Sequence, residues 1–426
     1  MQYISTRNSN KRYTLTEAIQ QGLASDGGLF IPESFPKIDL ADYNIEMSYI
    51  EFSEMLLKQY FKEDKLNFKL KEICKNAFCF PVPTVKINHN VEMLDLCKGP
   101  TLSFKDFGAK FLAECVNHIS TNKKSTIMVA TSGDTGSAVA SAFYKKENTQ
   151  VIVLFPKGKI SKKQEKQITC WGKNILPLAV HGTFDDCQRL VKQAFQENWW
   201  QHTMNISSAN SINIGRLLPQ MTYYAYTSFQ YYFKNNKPVG FIVPTGNLGN
   251  ATAAFWAKEM GFPIREISLS TNANRVISDY LDSGIFSPRT SLTTLANAMD
   301  VGNPSNFERL TKLFPEKENF LKNISAISVS DDQIEQTIIN IYNKYDKIIC
   351  PHTATAFFAK EYKSDDSWIV VSTADPCKFD DIIEPIIRKK IPIPQQMQEL
   401  LNKETKNWEV QADLKDIEEI SRQYFF

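Results

Sequence analysis

The feature that most constrains this chain is the alternation of short apolar runs with longer helical patterns beyond residue 85. Bare apolar runs are typical of strands that are covered on both faces. They occur at 126–130, 151–155, 175–180, 239–243, 264–269, 347–350 and 368–372. Helical stretches lie between them, and the one at 184–195 carries its apolar residues on a single stripe. Such strand–helix–strand repeats predict a mostly parallel sheet with helices on both sides.

The first 85 residues follow a different pattern. Helical patterns occur at 15–23, 50–61 and 66–77, a Gly/Pro-punctuated loop lies at 25–36, and two prolines within 79–85 mark a boundary. We therefore predict an α/β protein with a small N-terminal domain, residues 1–85. A larger region, residues 86–426, is long enough for two doubly wound, mostly parallel-sheet lobes.

Composition excludes several classes of function. Lys and Arg number 49 and Asp and Glu 47, so the net charge of +2 gives no broad cationic surface for nucleic acid or acidic membranes. The eight cysteines form no CxxC pair, and with five scattered histidines they show no metal-ligand spacing. Dispersed cysteines are typical of reduced thiols in a cytoplasmic protein. No signal peptide and no bilayer-spanning apolar run is evident.

Two loops that follow predicted strands share one design. TSGDTGS (131–137) and PTGNLGN (244–250) each lead into a run of small residues that predicts a helix. The first N–H groups of a helix lack internal partners, and glycine lets an anion approach them. By itself TSGDTGS is better explained as an ordinary capped turn, and PTGNLGN has the same layout. Two of them together indicate an anionic ligand in two parts, or a cofactor and a substrate, bound where ligands of such sheets bind.

Lys105 lies in GPTLSFKDFG (99–108), between Phe104 and Phe107. Most lysines are solvated surface charges. Aromatic neighbours would instead desolvate the ammonium group and lower its pKa. Because an uncharged amine is what imine chemistry with an aldehyde requires, a phosphorylated aldehyde would use Lys105 and one glycine loop together. This combination indicates pyridoxal phosphate (PLP). A further strand-end loop begins with Thr373, whose hydroxyl could hydrogen-bond a neutral ring nitrogen or merely cap a turn.

Taken in order, these segments resemble the threonine synthases, a family of fold type II PLP enzymes. The resemblance covers nearly the whole chain: GLASDGGLFIPESFP near the start is followed by GPTLSFKDFGAKF, TSGDTGSA, NISSANSINIGRLLPQ, PTGNLGN, STNAN, MDVGNPSNFERL and PHTATA. It implies a threonine-synthase-type N-terminal domain and a tryptophan synthase β-like catalytic region, with PLP between its two lobes.

The resemblance also implies a lyase that converts O-phospho-L-homoserine and water to L-threonine and phosphate. Lys105 would bond covalently to the cofactor and then shuttle protons, and Thr373 would face the pyridine nitrogen. The backbone of one loop would hold the cofactor phosphate: Gly246, Asn247, Leu248, Gly249 and Asn250. Six further residues would bind the substrate, the last three of them with the cofactor: Ser132, Asp134, Thr135, Ser208, Asn210 and Arg216. The expected partner is this small molecule, and the expected state is a monomer or homodimer.

Three positions depart from the family pattern. Lys98 stands where His is more frequent, Asp375-Pro376 stands where a His-Pro pair is usual, and Arg275 stands where an acidic residue is common. Lys98 could still meet a phosphate as a point charge. These departures leave the cofactor expectation intact and bear on how the substrate's phosphate is held and how its release is timed.

Three other functions stay open at this level. Another fold type II enzyme, such as a threonine dehydratase or a cysteine synthase, would lack the SDGGLFIPE and AMDVGNPSNFER segments. A non-catalytic binder or phospholyase-like relative is favoured only by Lys98 and Asp375, and a lyase would release a keto acid instead of threonine. A nucleotide-binding module would need a Walker lysine or a Rossmann acidic partner, and neither loop supplies one.

Overall fold

A computed structural model describes residues 1–119 and 124–426. Its strands are β1 (Tyr3–Ser5), β2 (Phe30–Pro32), β3 (Thr84–Lys86), β4 (Val91–Asp95), β5 (Ser125–Ala130), β6 (Thr149–Pro156), β7 (Ile175–His181), β8 (Ile206–Ser208), β9 (Val239–Pro244), β10 (Ile264–Thr271), β11 (Ser325–Ser328), β12 (Trp368–Ser372) and β13 (Trp408–Gln411).

The α-helices alternate with these strands along most of the chain. They are α1 (Leu15–Gln21), α2 (Tyr49–Lys58), α3 (Leu70–Ala77), α4 (Lys105–Ile119), α5 (Asp134–Phe143), α6 (Lys162–Thr169), α7 (Phe184–Ala194), α8 (Ile214–Asn235), α9 (Gly249–Glu259), α10 (Val276–Ser283), α11 (Phe307–Leu313), α12 (Lys317–Asn323), α13 (Asp331–Tyr345), α14 (Pro351–Lys360), α15 (Asp380–Ile387), α16 (Gln395–Leu401) and α17 (Leu414–Phe425). Within the two described ranges, no helix is both long and apolar enough to cross a membrane.

The strands form two large sheets and one small one. The six-stranded sheet has the order β11-β10-β9-β12-β4-β3 and is parallel except for β3, while the five-stranded sheet, β13-β7-β6-β5-β8, is parallel throughout. The central strands are buried along their whole length, as their bare apolar sequences predicted. The predicted architecture of two mostly parallel-sheet lobes is confirmed.

One predicted strand is wrong. Residues 347–350 are buried in part but pair with no strand among the described residues. Cys350 is extended (φ −78°, ψ 160°) because it precedes Pro351, which occupies the first turn of α14. The apolar run is therefore an extended lead into a helix, a role that periodicity does not distinguish from a strand.

The N-terminal segment packs onto the helices of the larger region. Phe52 of α2 contacts the rings of Tyr226 and Phe229 on α8, and Phe61 packs edge-on against Phe111 of α4. These side chains belong to one hydrophobic cluster with the sheet interior. The division at residue 85 stays a prediction; strand β3 crosses this position.

Candidate active site

All the residues that the sequence assigned to cofactor and substrate line one cavity of about 1050 Å³. The loops after β9 and β12 reach it from the six-stranded sheet, the loops after β5 and β8 reach it from the five-stranded sheet, and α4 begins beside it. This is where ligands of parallel sheets bind. The residues brought together are Lys105, Ser132, Asp134, Thr135, Ser208, Asn210, Arg216, Gly246, Asn247, Leu248, Gly249, Asn250 and Thr373.

The loop before Lys105 is built to fix the first residue of α4. The buried carboxylate of Asp106 accepts hydrogen bonds from the Thr101 backbone N–H (2.9 Å) and hydroxyl (2.7 Å). Gly99 is required here because a Cβ would lie 2.4 Å from Asp106 Oδ2. The Phe104 N–H donates to the Thr373 carbonyl at 2.9 Å. The loop is thereby tied to the end of β12, and the direction of the Lys105 side chain is set.

The amine of Lys105 is largely shielded from solvent. Its side chain is 13% exposed, and Nζ lies 3.9 Å from Asp134 Oδ2 and 5.6 Å from the centre of the Phe104 ring. Burial lowers the pKa of Lys105 to about 8, an effect that Asp134 opposes and the positive charges of Lys378 and Arg216 reinforce. The predicted direction of the shift is confirmed, but Phe107 packs into the core against Phe80 and other rings.

Asp134 is held as a buried carboxylate. Lys378 Nζ lies 2.7 Å from its Oδ1, and Gln164 Nε2 donates to the same atom at 2.8 Å. Burial alone would raise the pKa of Asp134, but Lys378 and Lys105 outweigh it, and the pKa is lowered from its ordinary value. Gly133 lets Gln164 approach, since a Cβ would lie 2.4 Å from the amide carbon. The carboxylate is therefore a charged acceptor beside the Lys105 amine.

The glycine loop after β9 presents backbone N–H groups at the start of α9. Leu248 adopts the left-handed conformation (φ 60°) that turns the chain into the helix. Gly246 lies against the neighbouring loop, where a Cβ would be 2.7 Å from Met299 Cα. Asn250 Oδ1 accepts from the hydroxyls of Tyr223 (2.7 Å) and Tyr224 (2.8 Å), which orients its amide. Its buried Nδ2 finds no hydrogen-bond partner in the described ranges.

Arg216 is a buried cation against the first turns of α4. Its Nη1 donates to the Ala209 carbonyl at 2.5 Å, and Gly108 makes room for it, because a Cβ there would lie 2.7 Å from Arg216 Nε. Burial lowers the pKa of Arg216 to about 10, although Asp106 opposes the shift, so the group is still charged at neutral pH. Its Nε is unpartnered among the residues described. Such a group is suited to an anion.

Three residues of this site were not singled out from the sequence. They are Gln164 and Lys378, which bind Asp134, and His352, which lines the cavity from α14. Lys378 is fully buried and also donates to the Thr101 carbonyl at 2.9 Å. Its position between Cys377 and Phe379, just after a buried strand, was the one available signal.

Comparisons with known proteins agree with this geometry. A family model described as "Pyridoxal-phosphate dependent enzyme" matches residues 86–373, and models described as "Threonine synthase N terminus" and "Threonine synthase, C-terminal" match residues 2–78 and 351–420. Threonine synthase of Haemophilus influenzae is 39% identical over 400 residues, which cover 93% of this chain and 94% of that protein. The chain belongs to the threonine synthase family.

Solved structures of threonine synthases share the whole fold. The Escherichia coli structure matches with a TM-score of 0.93 at 34% identity, covering 99% of this chain and 100% of that one. A PLP-bound threonine synthase from Brucella melitensis matches with a TM-score of 0.93 at 30% identity, covering 100% and 99%. The predicted family, enzyme class, fold class and PLP cofactor are thereby confirmed.

The residues of this threonine synthase family member fit PLP. The aldehyde needs an amine that is partly uncharged, which Lys105 supplies, and the phosphate needs a backbone cradle with free donors, which the loop at 246–250 supplies. The unpartnered Nδ2 of Asn250 and Nε of Arg216 add donors that a bound anion would satisfy.

The departures from the family pattern lie away from the cavity lining. Lys98 is 45% exposed and pairs with Asp95 at 2.8 Å, and Asp375 caps the turn that carries Lys378 by accepting from the Cys377 N–H at 2.9 Å. Arg275 pairs with Asp279 at 2.6 Å on the surface. None of the three departures is among the lining residues.

Proposed function

We propose that this chain converts O-phospho-L-homoserine and water to L-threonine and phosphate, with Lys105 as the residue that bonds to PLP and then moves protons. One observation carries the proposal. The buried amine of Lys105, the glycine loop at 246–250 and the loop with Ser132, Asp134 and Thr135 line the same cavity. A cofactor and a small amino acid would fit there side by side.

In this proposal each end of the cofactor has its own partner. The N–H groups of the loop at 246–250 hold the phosphate, and the Nδ2 donor of Asn250 joins them because Tyr223 and Tyr224 turn its Oδ1 away. Thr373 places a neutral hydroxyl at the pyridine nitrogen. When bound, PLP supplies the electron sink that makes protons on the substrate's carbon atoms removable.

Lys105 then acts as the base and acid at the substrate's carbons. An amine with a pKa of about 8 is roughly one quarter unprotonated at pH 7.5, so it can both accept and return a proton near neutral pH. Asp134, 3.9 Å away and charged, stabilises the protonated form. Burial keeps most bulk water away from this atom.

The substrate's anionic and polar groups find partners on the opposite wall. Ser132 and Thr135 supply hydroxyls at the start of α5. Arg216, with Ser208 and Asn210 beside it, supplies the buried cation for a phosphate or carboxylate. Lys98 plays no part in this arrangement, since its ammonium is engaged by Asp95 outside the cavity.

The N-terminal segment supplies part of the cavity wall. Arg7, Ala24, Gly27 and Leu29 are among its lining residues. The Thr6 hydroxyl donates to Glu308 at 2.9 Å, which joins this segment to α11. A wall on this side limits the access of bulk water, which a reaction with several proton transfers before hydration requires.

The deciding experiment measures phosphate release from O-phospho-L-homoserine together with analysis of the organic product. We expect equimolar phosphate and threonine, and neither from Lys105→Ala. Phosphate with a keto acid instead of threonine would identify a phospholyase, and no phosphate release from PLP-loaded wild-type protein would reject the proposal.

We further propose that the protein acts in the cytoplasm as a monomer or homodimer, on this small molecule and without nucleic acid. All eight cysteines are free thiols and seven of them are buried, as suits a reducing compartment. Size-exclusion chromatography with light scattering, and fractionation of cells that express the tagged chain, test these two points.

A further inference from the structure

His352 lines the cavity but has no role in the scheme above. It is the second residue of α14, is 3% exposed, and packs its ring against Phe379 with 5.0 Å between ring centres. Phe379 therefore fixes the ring on one side, and the other side of the ring borders the cavity.

The hydrogen bonds of the ring settle which nitrogen carries the proton. The backbone N–H of Ala298 donates to Nε2 at 3.1 Å, and because an N–H group cannot accept, Nε2 must be unprotonated. Burial lowers the pKa of His352 to about 4, an effect that Asp134 opposes and Lys105 and Lys378 reinforce, so the ring is neutral near pH 7. The single ring proton is then on Nδ1.

This Nδ1–H is a buried donor that no acceptor in residues 1–119 and 124–426 satisfies. Buried polar groups are nearly always paired, and an unpaired one is costly. A donor held in this state beside a ligand cavity is explained if a bound molecule supplies the acceptor. The two ring nitrogens would then have separate tasks: one holds the loop that contains Ala298, and the other contacts the ligand.

We propose that His352 is a further ligand-binding residue of this site, whose Nδ1–H donates to an acceptor oxygen of the bound cofactor or substrate. The inference rests on the proposed function, since it concerns the same cavity. It adds a residue from α14 to a site otherwise built from strand-end loops and the N-terminal ends of other helices, among them α4, α5 and α8.

Two substitutions separate the tasks of the two ring nitrogens. In His352→Asn the side-chain amide nitrogen can occupy the place of Nδ1, so the donor is kept and the acceptor for Ala298 is lost. In His352→Gln the longer side chain can place its amide oxygen near Nε2, so the acceptor is kept and the donor is lost. Thermal denaturation of both variants reports on the fold.

The readouts are the affinity of apo-protein for PLP, by absorbance titration, and KM and kcat of the PLP-loaded enzyme for O-phospho-L-homoserine. We expect His352→Gln to weaken PLP binding or raise KM at least tenfold, with a melting temperature within 2 °C of wild type, and His352→Asn to stay within threefold in both. A loss confined to PLP affinity places the acceptor on the cofactor, and a loss confined to KM places it on the substrate.

Unchanged affinity and KM in His352→Gln, or equal losses in both variants, would overturn the inference. If His352→Gln does not fold, wild-type protein labelled with ¹⁵N-histidine is used instead. Its NMR spectrum is simple because the chain has five histidines. The Nδ1–H resonance must then move on addition of PLP to apo-protein or of substrate to the loaded enzyme, and a resonance unmoved by both rejects the contact. A wild-type enzyme that binds PLP but makes no threonine would reject the proposed function and leave the PLP titration valid.

Discussion

Replacing Lys378 by methionine removes one partner of the buried ion pair beside Lys105. Methionine is unbranched like lysine and only one heavy atom shorter, so packing changes little. Asp134, 3% exposed, would keep its bond from Gln164 at 2.8 Å and the more distant Lys105 ammonium at 3.9 Å. It would lose the cation at 2.7 Å, and the substitution would therefore leave a buried carboxylate only partly compensated.

The expected loss is about 3–5 kcal/mol, which is typical of a buried ion pair from which one partner is removed. A Coulomb estimate at 2.7 Å with an effective dielectric constant of about 20 gives about 6 kcal/mol, which the remaining partners of Asp134 reduce. With an unfolding entropy of about 2.1 cal/mol/K per residue over 426 residues, this loss corresponds to a fall in melting temperature of about 3–6 °C.

Calorimetry at pH 7.5 on the PLP-free protein measures this fall. Lys390→Met is the matched control: its contact with Glu384 is similarly short, 2.6 Å, but the lysine is 93% exposed, so the variant's melting temperature should stay close to that of wild type. The double variant Asp134→Asn, Lys378→Met removes both charges and should recover at least half of the loss.

The pH dependence supplies a second check. Because the native pKa of Asp134 is lowered, the stabilisation it gives is complete above the ordinary pKa of about 4 and is lost as the pH falls below that value. The gap between wild type and Lys378→Met should be nearly constant from pH 6 to 7, below the pKa of about 8 at which Lys105 titrates. A variant that melts no lower than Lys390→Met would refute the reasoning.

Three further substitutions test the cofactor site. Lys105→Ala should melt like wild type yet show no turnover and no PLP fixed by borohydride; label on another lysine would contradict its role. Gly246→Ala should weaken PLP binding at least tenfold, because its Cβ would lie 2.7 Å from Met299 Cα, whereas Gly158→Ala, in open space, should not; equal affinities would count against the cradle. Thr373→Asp should shift the visible absorbance of bound PLP and lower kcat while Thr373→Ser preserves both, and an unchanged spectrum would exclude contact with the ring nitrogen.

The strand-end loops could be predicted because they are local. A buried strand, a glycine turn and a helix start are contiguous in PTGNLGN and TSGDTGS, so the anion cradle and the loop of Asp134 follow from neighbouring residues. The parallel sheet of each lobe could likewise be predicted, because strand and helix patterns alternate along the chain. The resemblance then assigned roles that residue patterns alone left open.

The contacts across the cavity could not be predicted in this way. Lys378 follows β12 of one sheet and Asp134 follows β5 of the other, so their meeting depends on strand order and on how the sheets face each other. The tautomer of His352 depends on a backbone N–H 54 residues away. Local sequence also did not show that Phe107 turns into the core and leaves the shielding of Lys105 to Phe104.

The two sides of the cavity are closed with unequal strength. On one side the turn after β12 is bound to the five-stranded lobe: Ser161 Oγ donates to the Lys378 carbonyl (3.0 Å), Lys163 Nζ donates to the Cys377 carbonyl (2.9 Å), and the buried pair of Lys378 and Asp134 lies behind them. Opening here would separate this buried ion pair and break both backbone contacts at once.

On the other side the N-terminal segment is held to α11 by two kinds of contact. Buried Arg309 donates to the Phe30 carbonyl from Nε (3.1 Å) and Nη2 (2.9 Å), whereas the pair of Arg7 and Glu308 nearer the rim is 53% and 36% exposed and contributes about 0–1 kcal/mol. Local opening of the rim that Arg7 covers, near Gly27 and Gly28, is therefore expected to be easier than opening at 376–380, and we expect substrate to enter there. Hydrogen exchange on PLP-loaded protein should be faster in peptides covering 24–29 than in peptides covering 376–380, and Arg7→Ala should widen the difference. Faster exchange at 376–380 would place the entrance between the lobes instead.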